Sequence, residues 1–96
     1  EARGAATAAL ARFRSAERSL TLYREHIVPQ DQSALDLARA SYAGGRGEFA
    51  MVLDSFRTWL DDQTELARTE ADRFTAWAEI ISLIAKSPSR SRSEAE

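Results

Sequence analysis

The sequence predicts an all-α protein: one long antiparallel helical hairpin, kinked near Pro29, that assembles into a helical bundle. Three observations predict it. Apolar residues recur at alternating three- and four-residue intervals through two long segments, which is the seam pattern of a coiled coil or helix hairpin. A glycine cluster, Gly44-Gly45-Arg46-Gly47, separates the two segments. No segment alternates apolar and polar residues with β-branched enrichment, so strand signals are missing.

The first arm covers about residues 5–43. Its seam is expected at Phe13, Ala16, Leu20, Tyr23, Ile27, Ala34, Leu37 and Ser41. Pro29 interrupts it, because proline removes a helical hydrogen bond and clashes with the preceding turn. It also pushes Val28 towards extended geometry. Two helices meeting near Val28-Pro29 are the alternative to one kinked helix. The kinked helix is preferred, since Phe13, Leu20, Ile27, Ala34 and Ser41 keep a seven-residue phase through the proline.

The turn occupies residues 44–47. Glycine is the usual residue beyond a helix C-terminus, where a positive φ is needed. Helix resumes near Glu48, and the second arm covers about 48–86. Its expected seam is Phe49, Leu53, Phe56, Leu60, Gln63, Ala67, Glu70, Phe74, Trp77, Ile81 and Ile84. Val52, Trp59, Leu66 and Ile80 form a flanking stripe that widens the apolar face. Each arm of about 40 residues would be ~60 Å long at 1.5 Å per residue. Residues 1–86 thus form the hairpin. Ser87-Pro88 stops the second helix, and residues 87–96 are expected to be a disordered polar tail.

Two helices alone leave such wide stripes half covered. Phe49, Phe56, Trp59, Phe74 and Trp77 cannot all face one partner helix. Burial of a large apolar side chain stabilises by roughly 1.5–3 kcal/mol, so self-association is expected. A dimer closing a four-helix bundle is the simplest solution.

Composition bounds the function. The 96 residues make one small domain with a marginal core of its own. A net charge of -2 gives no global pointer to nucleic acid or an anionic membrane. The short basic stretch "SRSRS" in the tail does not change that. The chain has no cysteine, which excludes disulfides and thiolate chemistry and fits any compartment. No run approaches the ~18 apolar residues of a membrane-spanning helix, so no direct membrane contact is expected.

Chemistry-bearing constellations are absent. His26, the one histidine, has Leu22, Tyr23, Pro29 and Gln30 at helical spacing, none of them a ligand or acid, and reads as a surface or seam residue. Asp61, Asp62, Glu65, Glu70, Asp72 and Glu79 lie among Arg68 and Arg73 without an accompanying histidine. A solvated charged face explains them better than a metal cluster. Gln30, Gln63 and Glu70 fall on the expected seams, either setting register or facing water as a channel lining would. "GGRG" lacks the lysine, the serine or threonine and the preceding strand of a phosphate loop. No serine has a base beside it. No enzyme activity and no cofactor are expected.

The stretch "YREHIVPQDQSALDLARASYAGGRGEFAMVLDSFRTWLDDQTEL", Tyr23 to Leu66, resembles the second structural repeat of the TolC-like outer-membrane efflux channels. The similarity is greatest to the heavy-metal and multidrug branch that works with resistance-nodulation-division pumps. The matching elements are Y-x-x-x-I-V-P-Q, A-L-x-L-A-R-A-S-Y-x-x-G and F-x-x-V-L-D-S-x-R-x-x-L. The resemblance covers about half of the chain strongly and extends weakly through the second arm.

The resemblance implies a periplasmic hairpin of a trimeric outer-membrane channel. Its turn would be a tunnel tip that docks a periplasmic adaptor (membrane fusion) protein and, through it, an inner-membrane pump. Residues 42 to 54 would carry that contact, with Tyr42, Gly44, Gly45, Arg46, Gly47, Val52 and Asp54 as the tip set. Tyr42 matches a tyrosine that helps hold the tip closed, Gly45 the tip glycine, and Asp54 one of two aperture acids. Met51 stands where the second acid would be, and Gly47 where a gate-linking arginine would be. Arg46, one position earlier, is the candidate substitute. Such a chain is either a piece from the C-terminal end of a channel protomer or a small protein that kept only the hairpin. The polar stretch after Ser87 favours the first. The rival reading is a stand-alone, self-associating helical module with no transport role.

Overall fold

The computed structural model describes residues 2–86 and is a helical hairpin of 75 × 18 × 15 Å. Helix α1 spans Ala2–Leu22, a π-helical turn follows at Tyr23–Ile27, and α2 spans Val28–Ala43. After the turn, α3 runs unbroken over Phe49–Ala85. Among the described residues there is no strand, and no helix is long and apolar enough to cross a membrane. The tail expected at 87–96 lies outside the described residues.

The first arm stays one helical run through Pro29, and the proline is accommodated upstream. With no N–H at position 29, the carbonyl four residues back loses its donor and meets the ring. The chain widens there: the Val28 N–H donates to the Tyr23 carbonyl, five residues back, in the single-turn π insertion that relieves such a conflict.

That widened turn corrects the expected seam. A π turn takes up one extra residue, so the phase does not survive Pro29. Leu35 and Ala38 turn inward where Ala34 and Leu37 were expected. Leu35 is 7% exposed and Leu37 69%. Upstream of the π turn, Phe13, Ala16 and Leu20 lie on the seam as expected.

The second arm differs from expectation in the same way. The stripe that closes the hairpin is the flanking one: Val52, Trp59, Leu66 and Ile80, extended by Ser55, Asp62, Thr69, Ala76 and Leu83. The expected main seam lies one residue further round and is largely uncovered. Phe49 is 53% exposed and Phe74 65%. Side-chain size accounts for the choice. Ala9 and Ala16 on α1 and Thr69 and Ala76 on α3 are buried. Small residues let two helix axes approach closely, whereas a row of aromatic rings would hold them apart. Asp31, Ser55, Asp62 and Thr69 are the polar residues of this seam; Gln63 is half-buried beside it, whereas Gln30 and Glu70 are exposed. Thr69 satisfies its hydroxyl within the helix, donating to the Glu65 carbonyl at 2.8 Å.

Cross-arm ion pairs flank the seam and hold its register. Arg12 meets Glu79, Arg24 meets Glu70 at 3.2 Å, and Arg73 meets Glu17 at 3.3 Å. The Arg73 guanidinium also lies 5.1 Å from the centre of the Phe13 ring. All of these side chains are about half exposed, so each pair is worth ~1 kcal/mol at most. Glu65 pairs with Arg68 within α3.

Candidate functional site

Two features stand apart from the regular hairpin: the glycine tip and an acidic pair inside the seam. The tip begins where α2 ends. The Arg46 N–H donates to the Ser41 carbonyl at 2.9 Å, and the Gly45 N–H to the Tyr42 carbonyl at 3.0 Å. This nested pair is the Schellman closure of a helix C-terminus. It needs a left-handed residue, and Gly45 supplies it with φ +76°. Gly47 is constrained by proximity instead: a Cβ there would lie 3.0 Å from the Ser41 Cβ. Glu48 is extended, and α3 starts at the next residue.

Two aromatic rings bridge the arms just above the turn. The Tyr42 and Phe49 centroids are 5.4 Å apart and the rings are tilted by 53°, an aromatic pair worth about 0.5–1.5 kcal/mol beyond area burial. Beside them a shallow groove is lined by Leu37, Ser41, Arg46, Gly47, Met51 and Ser55. Its lining combines the apolar Leu37, Ala38 and Met51 with Arg46.

The fold gathers Tyr42, Gly44, Gly45, Arg46 and Gly47 into one end of the molecule. Val52 is a correction. It is half-buried in the seam between the arms, because the flanking stripe closes the hairpin, so it supports the tip from within. Asp54 is exposed on α3, beyond the turn and outside the groove lining. Leu37 and Met51 line the groove, although the sequence placed Leu37 in the seam and read Met51 only as a missing acid.

The acidic pair lies mid-hairpin, next to the π turn. Asp31 Oδ2 is buried without a protein donor, and its carboxyl faces Asp62 across the seam. Burial first, and then the neighbouring Asp62 carboxyl, push the Asp31 carboxyl up to about 6. Asp62 therefore does not belong to a solvated face. Asp31 carried no role in the sequence reading, because the seam was taken to pass through Gln30. A one-residue phase step at the proline is the signal that would have found it. His26 is exposed, in the π turn. Among the described residues, no group of three or more His, Cys, Asp or Glu side chains is placed to hold a metal ion.

No family model, no curated protein and no solved structure matches this chain.

Proposed function

We propose that this chain is a stave of a larger helical assembly, the periplasmic tunnel of an outer-membrane efflux channel, with the glycine tip as the dock for a periplasmic adaptor. The observation that carries the reading is the second apolar stripe of α3, whose large side chains at both ends of the helix, from Phe49 to Leu60 and from Phe74 to Ile84, stay largely uncovered. A stave in a helical wall needs one seam for its hairpin partner and another for its neighbour, and α3 has both. The resemblance over Tyr23–Leu66 names the wall.

The tip chemistry fits docking. A turn rich in glycine lets a foreign backbone approach closely, and the groove between Leu37 and Met51 suits the apolar face of a helix. The adaptor would bring the inner-membrane pump, and neighbouring staves would complete the trimeric wall.

An immunoblot of fractionated source cells, with an antibody against this chain, tests the reading. A band several-fold larger than 10.7 kDa in the outer-membrane fraction is expected. A band near 10.7 kDa in the soluble fraction overturns it and leaves the stand-alone module. In the full protomer, Gly45→Trp should impair export at normal protein level.

A further inference from the structure

The uncovered stripe has an internal symmetry. Ala67 is the middle residue of α3, which spans Phe49–Ala85. Large apolar residues fill the stripe on both sides of it, from Phe49 to Leu60 and from Phe74 to Ile84. Only Gln63 and Glu70, four residues before Ala67 and three after it, break the apolar run. The stripe lies one residue round from the hairpin seam, about 100° away on a helix of 3.6 residues per turn. A helix at the corner of a four-helix bundle presents its two contact faces at close to that angle.

We propose that two copies of this chain pair through this face, α3 against α3 in antiparallel orientation about a two-fold axis near Ala67, to form a four-helix bundle. The inference concerns the chain by itself, and its failure leaves the channel reading untouched. Charge selects the direction. A parallel pair in register would set Glu70 against Glu70 of the second copy and would align the helix dipoles. The antiparallel pair sets each Glu70 near the other copy's Gln63 amide, which can donate to it, and opposes the dipoles. The two apolar ends of the stripe, each with two aromatic and two aliphatic residues, then meet each other, and the polar centre meets itself. Area is sufficient. A 37-residue helix is ~55 Å long, and a band one helix diameter wide covers about 650 Å². That approaches the ~800 Å² per partner of a standard stable interface.

The chain lacks cysteine, so single labels report cleanly. Sedimentation equilibrium should give twice the 10.7 kDa chain mass. A nitroxide on Ala50→Cys should then read about 50 Å between copies, since two positions 34 residues apart along the axis are separated by 1.5 Å per residue. A nitroxide on Arg68→Cys, close to the axis, should read a short distance. Phe74→Glu should give a helical monomer at concentrations where the unsubstituted chain is a dimer. A monomer throughout, a short distance at position 50, or a dimer that survives Phe74→Glu with both label distances unchanged each overturns the proposal. Should Phe74→Glu fail to fold, the two label distances decide it alone.

Discussion

Asp31 and Asp62 face each other across the seam, and Asp31 Oδ2 is buried there without a hydrogen-bond donor. Two ionised carboxylates repel and offer only acceptors, so burial beside Asp62 favours a proton on one of them. The Asp31 carboxyl, raised from 3.8 to about 6, holds that proton more readily in the folded chain than in the unfolded one. By linkage, its contribution to stability is greatest when both states are protonated and falls as pH rises through about 6. The melting temperature should therefore rise as pH is lowered from 7.5 towards 5. Asp31→Asn should raise the melting temperature at pH 7.5 and flatten that rise. A lower melting temperature for Asp31→Asn at pH 7.5 would sink the shared-proton account.

The π turn makes a second, sharper contrast. Leu35 is in the seam and Leu37 outside it, although a continuous heptad through Pro29 exchanges their environments. Leu35→Ala should destabilise the hairpin by about 2–3 kcal/mol, the low end for a leucine in a shallow core. Leu37→Ala should stay within ~0.5 kcal/mol, as surface substitutions do. Urea denaturation at fixed chain concentration measures both. Equal effects would mean that no phase step occurs at the proline.

Much of the hairpin was legible in the sequence because its signals are local. The glycine cluster and the three–four spacing mark two arms and a turn without reference to anything distant. The tip was legible for the same reason: Gly45 fits its left-handed position and Tyr42 sits one turn before it. The choice between adjacent stripes was not legible. Phe49, Phe56, Phe74 and Trp77 are the most apolar row on α3, yet Ser55, Thr69 and Ala76 face the first arm. Hydrophobicity ranks the rows in one order and close approach in the other, and only the geometry of two helices together decides. Asp31 was hidden by the same one-residue ambiguity.

At the tip, the glycines should respond differently to the same added methyl. Gly45 has open space around it but φ +76°, so Gly45→Ala should cost ~1–2 kcal/mol through backbone conformation alone. Gly44 has an ordinary φ of -83°, but a Cβ there would lie 3.3 Å from the Ala40 carbonyl oxygen, so Gly44→Ala should cost less than Gly45→Ala and through contact alone. Gly47→Ala pushes its Cβ to 3.0 Å from Ser41 Cβ, and Ser41→Gly should partly rescue it, because it removes the atom in the way. The same rescue should fail for Gly45→Ala. Thermal denaturation of the three alanine variants and the two Ser41→Gly combinations separates strain from collision.

Arg73 carries two interactions that salt distinguishes. Its guanidinium donates to Glu17 Oε2 through both Nε and Nη2 at 3.3 Å and lies 5.1 Å from the Phe13 ring centre. The ion pair is exposed and should fade within a Debye length of ~3 Å at 1 M salt. Contact with the ring is short-ranged and partly dispersive, worth about 0.5–1 kcal/mol at an exposed site, and should persist. Arg12 has a carboxylate partner, Glu79, and serves as the comparison. Arg73→Ala should cost about 1–1.5 kcal/mol at low salt and keep roughly half of that at 1 M sodium chloride, the sum of an exposed ion pair and a cation–π contact. Arg12→Ala should cost ~0.5 kcal/mol and lose nearly all of it in the same salt. If Arg73→Ala becomes neutral at 1 M, the Phe13 contact contributes nothing, and the register of the lower hairpin rests on the seam alone.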